Sequence, residues 1–343
     1  NKLLTGGDSL MAYETEDQET QYCFPDINSS CVKEQRLRNR FKITYLLVSL
    51  LSAWTVFLNL LVIISISHFK KLHTPTNMII LSLAVTDLLI GFIMPIEAIR
   101  LNDKCWYFGQ IFCGLYLLFV SLLLSTSLGN LVLIAVDRYV AVCHPLLYPQ
   151  KITTAKMLMS ICLNWICISA YNTTLVVNNG HFDTSHRIDE CHGECLFMIS
   201  FSWIVIDLCI SLIFPCTLIM VLYLRIFYVV HQQVKVINSL MKGDKCVTEG
   251  SVKKKSEIKA ALTLGVMVSV YLLCYIPYYI CSLTVTSSTT LNVLIWTLHA
   301  NSGLNPLVYA LFYRWFKKTA KLILNLKIFL PASSLINIFS QHE

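Results

Sequence analysis

Carboxylates embedded in apolar stretches are the groups of this chain best placed to do chemistry. Asp87 and Glu97 fall within one such stretch, Asp137 and Arg138 close a second, and Asp207 lies in a third. An ionised side chain at the centre of a membrane costs about 2.5–3.5 kcal/mol on insertion scales, so each implies a compensating partner. That partner is a cation or a set of hydrogen-bond donors. Asp137-Arg138-Tyr139 carries its own counterion; Asp87 and Asp207 do not. Asp207 precedes Pro215 by eight residues, about two helical turns. A ligand ammonium is its natural partner, through a charge-assisted hydrogen bond. A water-filled mouth or a donor from a neighbouring helix is the alternative. Glu97, two residues after Pro95, is a second candidate anchor that would clamp a diamine together with Asp207, or it pairs with Arg100 or Lys104. The nine histidines are scattered, and no nucleophile–base pair or metal cluster is expected at this depth, which argues against an enzyme.

The elements that must position these groups are long and apolar. Of 343 residues, 55% are hydrophobic and 14% charged, where a soluble chain would carry about 25% charge. Seven runs of membrane-spanning length stand out, at about 44–68, 78–100, 110–137, 157–178, 198–230, 258–283 and 290–312. They are apolar all round rather than one-sided. The expected fold is an all-α membrane protein, a seven-transmembrane helix bundle with a short amphipathic cytosolic helix. Residues 1–43 form an extracellular N-terminal segment, 44–313 the transmembrane domain, and 314–343 the amphipathic helix and tail. Lys70, Lys71, Lys151, Lys156, Lys253, Lys254, Lys255, Lys317 and Lys318 gather on one side of the spans, which places the N-terminus outside and the C-terminus in the cytosol. The net charge of +7 then reflects topology and a partner surface, not nucleic-acid binding. Cys23, Cys31, Cys105, Cys113, Cys191 and Cys195 fall on the outer side, where disulfides persist. Asn28-Ser29-Ser30 is a glycosylation sequon on the same side.

Taken together, the polar marks on these spans resemble the rhodopsin-like G-protein-coupled receptors over almost the whole chain. The marks are Asn59, Leu83-Ala84-Val85-Thr86-Asp87, Asp137-Arg138-Tyr139, Trp165, Pro215 with Tyr223, Cys274-Tyr275-Ile276-Pro277, and Asn305-Pro306-Leu307-Val308-Tyr309. Narrower matches are His73-Thr74-Pro75-Thr76-Asn77, Cys105-Trp106-Tyr107-Phe108-Gly109, Asn301-Ser302, and the two-cysteine loop Cys191-His192-Gly193-Glu194-Cys195. These resemble the trace amine-associated receptors, in a fish-like form.

The resemblance implies an olfactory receptor for a small biogenic or trace amine, placed at the plasma membrane. It also implies a heterotrimeric G protein of the stimulatory or olfactory type, raising cAMP, as partner. Arg138 would be a latch, paired with Asp137 and with Glu257 at the foot of span six. Its release lets span six swing outward while Tyr223 and Tyr309 turn inward. A salt bridge that merely anchors two helices is the alternative. Asp87, Ser127, Asn301 and Asn305 resemble the family's sodium pocket, and oxygen-rich neighbours suit a hard ion; a water network without an ion is the alternative. No other cofactor is implied.

Span six departs from the family, with Tyr275 where a Trp is usual, two residues before Pro277. Pro277 and Pro215 should still give their helices local play. Relatives hold the ammonium with an Asp seven residues after the first cysteine of span three, and counting from Cys113 that position is Val120. Asp207 would then take over, with Val120, Ser121, Leu124, Tyr278, Tyr279, Trp296 and His299 as walls. Aromatic faces add about 0.5–2 kcal/mol toward a cation. The implied disulfides are Cys113–Cys195 and Cys31–Cys191, with Cys23 competing for the second and Cys105 free. Trp315-Phe316-Lys317-Lys318 through Leu326 reads as an amphipathic helix on membrane lipid. A rhodopsin-like receptor for a peptide or lipid, with Asp207 merely structural, is the rival. A transporter is the other, though no internal repeat is visible.

Overall fold

The computed structural model describes residues 21–33, 38–179, 191–196, 200–241, 249–284, 288–330 and 333–335; within these, the side chains of 38–41, 234, 236–241, 249–264, 288 and 335 are outside the description. Seven long helices follow in order: α1 Arg38–His68, α2 Pro75–Ala98, α3 Gln110–Cys143, α4 Thr154–Asn178, then α5, α6 Glu249–Leu283 and α7 Ser288–Phe312. Helix α5 starts as Phe201–Asp207, passes through a π-helical stretch Leu208–Ile213, and continues as Phe214–Met241. A short α8, Arg314–Leu324, turns off the end of α7. Six of the seven long helices are apolar enough to cross a membrane on length and composition alone. In α7 the run is diluted by Asn292, His299, Asn301, Ser302 and Asn305. Helix α1 begins at Arg38, earlier than the expected 44, because the helix continues past the apolar run into its charged flank.

Local chemistry sets the helix starts. Thr74 caps α2 by accepting from the Asn77 amide at 3.3 Å, and Pro75 fills the first turn, where its missing N–H costs nothing. Thr153 caps α4 in the same way. Gly193 holds φ +102°, a left-handed backbone, and a Cβ there would meet Phe24 at 2.9 Å.

The bundle is polar inside and apolar outside, more so than the apolar runs suggest. Asn59, Thr86, Asp87, Ser127, Asn130, Asp137, His299, Asn301 and Asn305 are buried, whereas Leu47, Phe57, Phe92, Ile166, Phe214 and Leu273 are exposed. A lipid-facing surface has this distribution. Helix α3 is central, touching α2, α4, α5 and α6, and α1 packs on α2 and α7. On α8, Trp315 and Phe316 turn into the main core while its lysines stay outside.

Candidate functional site

Between the helices lies a cavity of about 510 Å³, lined by residues of α2 through α7. It gathers Asp207, Glu97, Val120, Ser121, Leu124, Tyr275, Tyr278, Tyr279 and His299. Trp296 is not among them. It packs on the apolar cluster of Ile90, Met94 and Tyr116 and reaches the site only through its ring contact with His299 at 5.7 Å. Its expected place in the cavity wall is corrected accordingly: Trp296 is not among the lining residues, where its neighbour His299 is.

Asp207 is half-buried at the end of the first segment of α5. Its Oδ1 accepts from the Tyr171 hydroxyl at 2.9 Å and from Ser211 at 2.7 Å, and its Oδ2 faces the Tyr279 hydroxyl at 3.5 Å. All three donors are neutral. Among the described residues Asp207 has no cationic partner within salt-bridge distance. Tyr171 on α4 and Ser211 in the π-helical stretch had no signal in the sequence, since a lone hydroxyl is silent until the fold brings it to a charge.

Glu97 is treated differently. Arg100 Nη2 donates to Oε1 at 2.6 Å and Arg100 Nε to Oε2 at 2.9 Å, and the Tyr116 hydroxyl adds a short third bond. Of the two readings open for Glu97, the structure has the pair with Arg100, and this carboxylate is not available to a ligand as it stands. His299 Nδ1 lies 2.8 Å from the Ile295 carbonyl, which can only accept, so that nitrogen carries the proton. Tyr275 stacks on Tyr271 with ring centroids 3.8 Å apart.

Deeper in the bundle, Asp87 is fully buried and accepts from Asn305 Nδ2 at 2.8 Å. Its Oδ1, Ser127 Oγ and Asn301 Oδ1 are buried without a hydrogen-bond partner among the described residues. Unpartnered oxygens are the donor type that suits a hard cation.

At the end of the bundle opposite the disulfides, Arg138 Nε and Nη2 donate to Asp137 Oδ2 at 3.0 and 2.5 Å. Thr76 donates to the same oxygen at 2.7 Å, and Tyr148 to Oδ1 at 2.9 Å. Burial, and then the Asp137 charge, raise the Tyr148 phenol above its ordinary value, which keeps it a donor. Thr76 and Tyr148 are additions to the expected latch. Glu257 lies on α6, but its side chain is outside the described residues. Tyr139 packs against Val142, Ile226 and Val230. The buried hydroxyls of Tyr223 and Tyr309 have no partner among the described residues. Pro277 and Pro306 lie inside α6 and α7.

Three disulfides hold the other end: Cys113–Cys195, Cys31–Cys191 and Cys23–Cys105. Cys105 is therefore not free, and Cys23 does not compete for Cys191. The N-terminal segment lies against the loop, with Cys31 N donating to the His192 carbonyl at 3.0 Å and His192 N to Ser29 at 2.7 Å, which brings both cysteine pairs within bonding distance. Asn28 is exposed on this strap.

Residues 58–309 match the family described as 7 transmembrane receptor (rhodopsin family). The chain is 38% identical over 333 residues to trace amine-associated receptor 13c of Danio rerio, covering 94% of this chain and 97% of that protein. It is 35% identical over 335 residues to trace amine-associated receptor 6 of Rattus norvegicus, at 94% and 96% coverage. It is 35% identical over 334 residues to trace amine-associated receptor 9 of Mus musculus, at 94% and 95%. The chain belongs to the trace amine-associated receptors. It is a multi-pass membrane receptor of the G-protein-coupled kind, not an enzyme, and the cavity between α2 and α7 is the receptor's candidate ligand site.

Proposed function

We propose that this receptor binds a small amine by its ammonium group at Asp207 and signals through a stimulatory G protein to raise cAMP, in an olfactory setting at the plasma membrane. The N-terminus is outside in this reading. The supporting observation is a carboxylate that lines the cavity and is held, among the described residues, by neutral hydroxyls alone. Tyr171 and Ser211 orient Oδ1 without neutralising it, so the negative charge is left for a ligand cation. Tyr278 and Tyr279 add aromatic faces beside it, and Val120 leaves the α3 wall apolar for the rest of the ligand.

Binding near α5 and α6 biases the position of α6. At the other end, Arg138 is held by Asp137 in the resting arrangement, and an outward shift of α6 frees the arginine for the G protein. Tyr223 and Tyr309, whose hydroxyls are buried and unpartnered among the described residues, would find partners in that rearranged state. An allosteric sodium ion would be held by Asp87, Ser127, Asn301 and Asn305, supplying positive charge to a buried carboxylate.

The test is cAMP in cells expressing the wild type and Asp207→Ala at matched surface level, against alkyl and aromatic amines. A loss of sensitivity of about tenfold or more, about 1.4 kcal/mol, is expected. Equal responses would make Asp207 structural.

A further inference from the structure

Glu97 and Asp207 line one cavity, yet among the described residues Glu97 has a cationic partner and Asp207 has none. The cation is Arg100, three residues on, in the π-helical stretch Ile99–Asp103 that follows α2. Arg100 is fixed at its far side too, because Nη1 donates to the Cys195 carbonyl at 3.2 Å and Cys195 is bonded to Cys113. Tyr278 lines the same cavity as Asp207, Arg100 and Glu97.

We infer that Arg100 determines ligand specificity: it occupies the place of the second ammonium of a diamine and so restricts the site to monoamines. This rests on Asp207 as the ammonium anchor. A linear diamine with one end at Asp207 would bring its other ammonium to a carboxylate already neutralised, beside a guanidinium of like charge. Three hydrogen bonds already engage Glu97 and no uncompensated charge is left there to repay its desolvation. A monoamine places only an apolar tail against a neutral, satisfied pair. With Arg100 removed, Glu97 keeps a phenol donor but lacks a countercharge, and a second ammonium supplies it.

The experiment compares wild type, Arg100→Leu, Asp207→Asn and the double variant Glu97→Gln/Arg100→Leu. Each is tested for cAMP and surface level with matched linear alkyl monoamines and α,ω-diamines. Wild type should respond to the monoamine at about tenfold or more lower concentration than to the matched diamine, a gap of about 1.4 kcal/mol. Arg100→Leu should gain about tenfold or more in diamine sensitivity, and the double variant should respond to the diamine no better than wild type. Where Arg100→Leu reaches the surface poorly, diamine in the medium should restore its level, and should not change that of the double variant. A well-expressed Arg100→Leu without diamine gain, a gain that survives Glu97→Gln, or a surface defect that diamine leaves untouched would each overturn the inference. An unchanged monoamine response in Asp207→Asn would instead overturn the Asp207 anchor. The role of Arg100 would then stand or fall on diamine rescue of surface level.

Discussion

Asp207 and Asp137 are carboxylates in the same bundle, and the protein answers them in opposite ways. Asp137 is fully buried and is met by Arg138, with Thr76 and Tyr148 completing its shell. Asp207 is half-buried and is met by three hydroxyls and no cation among the described residues. Hydroxyl donors fix where a carboxylate points but leave its charge in place, whereas a guanidinium cancels that charge and gives up its own availability in return. The first arrangement is a receptor for a cation from outside; the second is a closed pair whose opening changes what Arg138 can touch. With Glu97 closed by Arg100 in the cavity that Asp207 also lines, both treatments occur in one site.

The sharpest way to break the contrast is Asp137→Asn. It leaves Arg138 buried without a countercharge, a loss of about 3–5 kcal/mol. Basal cAMP at matched surface level should rise well above wild type; an unchanged basal signal would mean the pair is only an anchor. Asp207→Asn removes charge while an amide oxygen still accepts from Tyr171 and Ser211. A charge-assisted bond contributes about 1.5–3 kcal/mol, so amine sensitivity should fall about ten- to a hundredfold, read from concentration–response curves. Tyr171→Phe removes one neutral donor contributing about 1 kcal/mol and should cost about fivefold. Loss as large as that of Asp207→Asn would mean Tyr171 itself touches the ligand. Tyr279→Phe loses only the long 3.5 Å contact and should shift the curve by about twofold or less. A larger shift would place its hydroxyl on the ligand rather than on Asp207.

The helices were legible because membrane length and apolarity are read directly from composition, and α8 because its pattern changes abruptly at Arg314. The charged residues of the site were legible for a related reason: a carboxylate in an apolar run is costly and implies a partner. The shells around them were not. Tyr171, Ser211, Thr76 and Tyr148 are ordinary hydroxyls on other elements, and only the crossing of helices gives them a partner. Trp296 sat at a plausible depth, but a helix offers that depth on all sides, and the ring packs on the apolar cluster that includes Ile90 and Met94. Cys23–Cys105 was hidden because six outer cysteines permit fifteen pairings. The strap that selects one of them is built from backbone hydrogen bonds, which leave no trace in side-chain identity.

The wide turns of Leu208–Ile213 lie directly below Asp207. Such a stretch holds a residue more than the α-helix would, and each residue rotates a helix by about 100°. The azimuth of the acid is thus set by a length, not by the identity of any neighbour. Deleting Cys209 or Ile210 would leave Tyr171, Ser211 and Tyr279 in the sequence while turning the carboxylate relative to Tyr171 and Tyr279. Tyr223 and the half of α5 beyond Pro215 would keep their register. One helix therefore carries two independently clocked segments, and ligand choice could drift over generations without disturbing the machinery that reads it.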